Sequence, residues 1–134
     1  MIVRRGKKND IAACMKLSES ENKGYWTRPD FARCVSDKHV IFLVAEENKK
    51  LAGFINGFIV PTKLAEAMIH ETRVDPKQRG RDIGTKMVDA FCKAAFKKGA
   101  RTVYALIDKN LEPFYIESCK FKKSGFWIET SKKR

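Results

Sequence analysis

The sequence predicts one α/β domain (α+β) whose strands and helices follow in the order β-α-α-β-β-β-α-β-α-β-β. Three observations carry this expectation. The chain has 134 residues, 43% of them hydrophobic, enough for one core over residues 1–134 without a metal or disulfide staple. Val40-Ile41-Phe42-Leu43-Val44 is an almost continuous apolar run, the pattern of a strand buried on both faces. From Ile83 onward, Met87, Val88, Phe91, Ala94 and Ala95 recur at helical spacing, directly after a turn rich in glycine and arginine.

The elements follow in order. Ile2-Val3-Arg4-Arg5 reads as a short first strand. Asp10 is placed to cap a helix running to about Glu21, with Ile11, Cys14, Met15 and Leu17 facing inward. Lys23-Gly24 breaks it, Tyr25-Trp26 opens a connection, and Pro29 and Asp30 start a second helix to about Ser36. His39 to Glu46 is the second strand. Glu47-Asn48-Lys49-Lys50 has the length and polarity of a hairpin loop, and Leu51 to Val60 is the third strand. Gly53 and Gly57 inside it mark a bulge, a bend or a close approach by another group. Ala67 to Val74 is the fourth strand. The long helix spans about Asp82 to Lys98, stopped by Gly99. Arg101 to Ile107 is a strand, Asn110 to about Cys119 a short helix, and Phe121 to Lys123 and Phe126 to Thr130 two last strands around Ser124-Gly125.

Composition narrows the class. No apolar run is long enough to span a bilayer, and the N-terminus has charge without an apolar stretch behind it, so a cytoplasmic chain with no membrane partner is expected. Cys14, Cys34, Cys92 and Cys119 are widely spaced with no C-x-x-C, which argues against a disulfide framework and predicts no metal site. The formal net charge is +12, with +4 in residues 1–67 and +8 in residues 68–134. Such a field attracts polyanions: a phosphorylated cofactor, nucleic acid or an acidic protein surface. Nucleic-acid binding is a minor reading, because no zinc finger, aromatic RNA-recognition signature or clear helix-turn-helix is present. Much of the charge reads equally as a solvated surface.

The most informative stretch is Val74-Asp75-Pro76-Lys77-Gln78-Arg79-Gly80-Arg81-Asp82-Ile83-Gly84-Thr85. A strand, a tight basic turn and a helix N-terminus make a phosphate site. Helix-start amides point outward, the helix dipole adds positive potential, and Arg79 and Arg81 add donors that match phosphate oxygens. Neither G-x-G-x-x-G nor G-x-x-x-x-G-K-[ST] occurs, so the dinucleotide fingerprint and the nucleotide P-loop are both absent.

R-G-R-D-I-G-T preceded by V-D-P-K-Q resembles the acyl-CoA pyrophosphate loop, Arg/Gln-x-x-Gly-x-Gly/Ala, of the GNAT superfamily of N-acetyltransferases. Arg79 takes the first position and Gly84 the last, while Asp82 stands where the family has its middle glycine. A carboxylate there repels pyrophosphate, unless the side chain caps the helix and points away. The element order, L-A-G-F-I in the third strand, and N-x-x-x-F-Y followed by K-F-K extend the resemblance over nearly the whole chain.

The resemblance implies a mixed, mostly antiparallel sheet flanked by about four helices and opened between the fourth and fifth strands. It also implies acetyl transfer from acetyl-CoA to an amine, in a monomer or homodimer. Thr72, Arg73 and Val74 would line the pantetheine arm, Arg79, Gly80, Arg81, Asp82, Ile83, Gly84 and Thr85 the pyrophosphate, and Asn110 the cofactor arm. Glu71 is the general-base candidate, or else a sheet residue paired with Arg73 or a lysine. Tyr115 is the candidate acid for the leaving thiolate, or else an aromatic packed beside Phe114. His70, alternating to the other face from Glu71, reads as structural. Tyr25, Trp26 and Arg28 fall in the family's acceptor region, as substrate contacts or as core closure. The +12 charge disfavours a polycationic acceptor and suits a protein or peptide amine. An inactive GNAT-fold binding module is the alternative, with Asp82 spoiling the phosphate site.

Overall fold

The fold is a five-stranded sheet in sequential order, with helices on both faces. The computed structural model describes residues 1–21, 26–60 and 65–134. The strands are β1 (Ile2–Arg5), β2 (Val40–Glu47), β3 (Lys50–Val60), β4 (Glu66–Val74) and β5 (Thr102–Ala105). The first four pair antiparallel and β5 joins β4 in parallel. Helices α1 (Ile11–Glu21) and α2 (Arg28–Ser36) cover one face, α3 (Ile83–Lys97) the other, and a π-helical turn at Pro113–Ser118 follows β5. This is the mixed, mostly antiparallel architecture expected from the sequence.

Local chemistry explains the joints. Asn48 and Lys49 both have positive φ, 50° and 62°, the two-residue turn whose twist matches a right-twisted hairpin. Thr27 caps α2 through a reciprocal capping box with Asp30. Asp10 ends a 3-10 turn (Lys8–Asp10) that runs into α1, and Arg4 bridges it to Glu46 on β2 at 2.9 and 2.7 Å. The Arg4 guanidinium holds the Asp10 carboxyl below its usual range.

Alternation along the strands divides the core. Ile41, Ala45 and Ile55 face α3 and pack on Met87, Val88, Phe91 and Ala95. Phe42, Val44 and Phe54 face α1 and α2 and pack on Ile11, Cys14 and Phe31. The two glycines of β3 are close-approach positions. A Cβ at Gly57 would run into the Met68 carbonyl and the Phe91 ring, and one at Gly53 into the Arg73 carbonyl and Met87.

The chain after the π turn departs from expectation. Phe121–Lys123 and Phe126–Thr130 form no strands. Phe126, Trp127 and Ile128 are 86, 73 and 91% exposed. A β pattern specifies which side chains share a face but supplies no partner. β5 forms a ladder over only four residues, on its β4 side, and Lys120 turns the chain with φ 63°. The expected Arg101–Ile107 strand is correspondingly shortened. Among the described residues, no helix is long and apolar enough to cross a membrane.

This division of the core is testable by chemical denaturation. Phe54→Ala, which empties a fully buried site between Phe31 and Phe42, should cost about 3–5 kcal/mol. Trp127→Ala should stay within about 0.5 kcal/mol.

Candidate active site

The sheet splits at one place. β4 pairs with β5 only through Glu66–Ile69 against Thr102–Ala105. Beyond Ile69, β4 continues to Val74 bonded to β3 alone among the described strands. The register explains the parting. Asn56 stands opposite Glu71 and Gly57 opposite Ile69, so His70 is an extra residue in β4. Such a bulge bends its strand and increases its twist, turning the end of β4 away from β5. From His70 to Val74 the side of β4 toward β5 has no strand partner among the described residues.

The bulge also sets which side chains look where. Thr72, opposite Ile55, faces α3 and the π turn. Its hydroxyl lies 3.3 Å from the Tyr115 hydroxyl. Tyr115 is 6% exposed, with Phe114 and Phe121 edge-on to its ring at 4.9 and 5.5 Å. Burial pushes the Tyr115 phenol above its ordinary pKa and outweighs the Thr72 hydrogen bond, so the phenol keeps its proton at neutral pH. Asn56 lies two residues beyond Phe54 on one strand face, so Asn56 and its partner Glu71 face α1 and α2. Glu71 Oε1 is 2.7 Å from Arg73 Nε, in a largely buried pair. His70 does not alternate away from Glu71. The bulge brings it to the same face, where its ring lies 5.3 Å from that of Trp26.

The basic turn closes the site from below. Asp75 accepts a hydrogen bond from the Lys77 amide at 3.0 Å and starts a 3-10 turn, Pro76–Gln78. Gly80 then takes φ 86° and Asp82 φ 58°, two left-handed positions in one short turn. Asp82 occupies the N-cap of α3 but makes no capping hydrogen bond. Of the two readings of Asp82, helix cap or carboxylate repelling a phosphate, the first finds no capping bond in the structure, in keeping with a left-handed backbone where caps adopt an extended one. Arg79, Gly80, Arg81 and Asp82 are exposed, and Ile83 is buried under them. Arg81 reaches Glu47 of the β2–β3 hairpin at 3.0 Å. A Cβ added at Gly84 would touch Phe114 at 3.0 Å and Val74 at 3.6 Å, so the start of α3 sits against the free end of β4. The amides of Ile83, Gly84 and Thr85, which have no intrahelical acceptor by position, therefore open beside that edge.

The remaining candidates spread out. Asn110 is exposed on the 3-10 turn Lys109–Leu111. Trp26 packs on Phe31 at 5.4 Å, which makes it part of the core lid as well as a neighbour of His70. Arg28 is exposed at the first turn of α2, and Tyr25 lies outside the described residues. Sequence reasoning passed over Asn56, 1% exposed with both carboxamide atoms lacking a hydrogen-bond partner among the described residues. A polar residue inside the otherwise apolar L-A-G-F-I-N-G-F-I-V was the available signal.

A sheet that splits beside a helix start matches a known family. The acetyltransferase (GNAT) family model covers residues 9–121. The chain belongs to the GNAT family of acetyltransferases. An uncharacterized N-acetyltransferase of Methanocaldococcus jannaschii is 31% identical over 114 residues, covering 75% of this chain and 50% of that one. The chain spans half or less of the length of the curated relatives it matches. A putative acetyltransferase from Agrobacterium tumefaciens superposes with a TM-score of 0.82 at 26% identity, covering 97% and 100% of the two chains. AAC(6')-Iy, solved with a CoA-linked bisubstrate analogue, shares the fold at a TM-score of 0.85 and 15% identity, covering 99% and 98%.

Asp82 gives a test of the turn. Glycine there relieves a left-handed non-glycine residue, which costs about 1 kcal/mol, and removes a carboxylate from the start of α3. Asp82→Gly should raise the melting midpoint by about 3 °C, read by calorimetry.

Proposed function

We propose that this protein moves an acetyl group from acetyl-CoA to a primary amine by direct attack. The observation that carries this reading is the meeting of two backbone surfaces at Gly84 and Val74: the edge of β4 that no described strand covers on the β5 side, and the N-terminal amides of α3. The first suits the amide-bearing pantetheine arm along Thr72, Arg73 and Val74. The second, with Arg79 and Arg81, suits the pyrophosphate, with Gly80, Asp82 and Thr85 in the same turn and Asn110 on the far side of the opening. Arg81 exchanges its exposed contact with Glu47 for phosphate at small cost, since exposed ion pairs are weak.

In the reaction the acceptor ammonium gives one proton to Glu71, directly or through water, and its nitrogen attacks the thioester carbonyl. β4 backbone N–H donors stabilise the oxyanion that forms. The C–S bond then breaks, and the departing sulfur takes a proton from Tyr115, whose phenol regains one from the attacking nitrogen. The sum is ammonium plus acetyl-CoA giving the acetamide plus the CoA thiol, with the proton held by Glu71 released to solvent. The buried, proton-holding Tyr115 beside Thr72 supports its role as acid. The acceptor enters on the α1–α2 side, past His70 and Trp26, with Tyr25 and Arg28 as further contacts, and a protein or peptide amine fits the +12 charge.

The test pairs binding with turnover. Arg79→Ala should weaken acetyl-CoA about 10-fold by calorimetry. Glu71→Gln and Tyr115→Phe should each lower amine-dependent CoA release about 10²-fold or more over a peptide and small-amine panel, leaving acetyl-CoA affinity within about twofold. Loss of affinity without loss of turnover at saturation would remove both catalytic assignments. No binding by the wild type would leave the inactive binding module.

A further inference from the structure

Asn56 and Glu71 form a cross-strand pair whose side chains do not engage. Directly opposed side chains on one face of an antiparallel pair stand within reach of each other. Yet Glu71 turns along its own strand to Arg73, 2.7 Å away. Asn56, enclosed at 1% exposure, is left with donor and acceptor both unmatched among the described residues. A buried carboxamide without partners is costly, and the cost persists where the group is needed in another state.

Two partners thus compete for one carboxylate. The ion pair with Arg73 is largely buried, with side-chain exposures of 12% for Arg73 and 17% for Glu71, so the desolvation of both groups offsets much of its Coulombic gain. A hydrogen bond from Asn56 Nδ2 would recover the desolvation cost of the carboxamide. A cationic acceptor entering beside His70 would compete with Arg73 for the carboxylate and offset the loss of that pair.

We propose that Asn56 is the positioning residue for Glu71. On acceptor binding the carboxylate leaves Arg73, accepts from Asn56 Nδ2 with one oxygen, and turns the other to the acceptor ammonium, whose proton it takes. This inference rests on the reading of Glu71 as general base. No bond other than that proton's changes in the step, and Asn56 stays neutral throughout.

Leucine has the branching of asparagine with bulkier methyl groups in place of its polar atoms, which separates this role from a hydrogen-bonding structural one. Asn56→Leu should raise the melting midpoint by about 2–5 °C, leave acetyl-CoA affinity within about twofold, and lower kcat about 10-fold or more on the best amine of the panel, with KM changed less. The ¹H–¹⁵N signal of Arg73 Nε should shift when CoA and that amine bind the wild type, and stay in place in Asn56→Leu. A midpoint lowered beyond the about 1–3 kcal/mol that the bulkier side chain costs by overpacking would overturn the proposal by showing that Asn56 is already paired in the resting protein, through the equally buried Ser18 hydroxyl or an internal water. An unchanged kcat, or an Arg73 signal that never shifts in the wild type, would overturn it too. If Glu71→Gln is also fully active, the general-base reading itself has failed; if Glu71→Gln is inactive while Asn56→Leu is active, only the positioning role has.

Discussion

The rest of the site depends on the single extra residue in β4. With His70 inserted, the strand keeps its ladder to β3 but leaves β5 after Ile69. A regular β4 would continue the parallel ladder, and the backbone groups from His70 to Val74 would be spent on a neighbouring strand. The bulge also gathers His70, Glu71 and Asn56 on one face while Thr72 meets Tyr115 on the other. One backbone irregularity thus opens the sheet between β4 and β5 and places candidate base and acid on opposite sides of the opening.

The surrounding structure is built to keep that irregularity. Gly57 lets β3 and Phe91 close in on the strand where the register slips, and Gly53 does the same near the end of β4. Gly84 brings the start of α3 against Val74 and Phe114. Large apolar residues on both faces, Phe54 toward α1 and α2 and Phe91 toward α3, hold the sheet around it. The polar residues left over, Asn56 and Ser18, are buried in that frame without partners among the described residues. Active sites commonly retain such groups at a cost in stability.

Much of this was legible in the sequence. The α3 periodicity, the continuous apolar β2, the hairpin loop and the basic turn after Val74 each carry a local signal, and local signals survive into the fold. The features that escaped depend on pairing. A bulge is a relation between two strands, so nothing in H-E-T-R-V announces that His70 is the extra residue. Asp82 reads as a helix cap by identity, but the turn places it at φ 58°, where its side chain cannot reach the helix amides. F-W-I-E-T has the composition of a strand, yet its sheet membership depends on a partner that β5 does not provide. Asn56 became informative only once its two neighbours, Glu71 across the strand pair and the apolar core around it, were in place.

The central claim is that the parted end of β4 and the start of α3 form one binding surface for acetyl-CoA. Backbone amide NMR during an acetyl-CoA titration tests it most directly. The account predicts the largest shifts at Thr72–Val74 and Ile83–Thr85, saturating together with one dissociation constant. Shifts confined to the outer side of β5 and the 121–129 segment, or shifts at the two stretches with different dissociation constants, would contradict it.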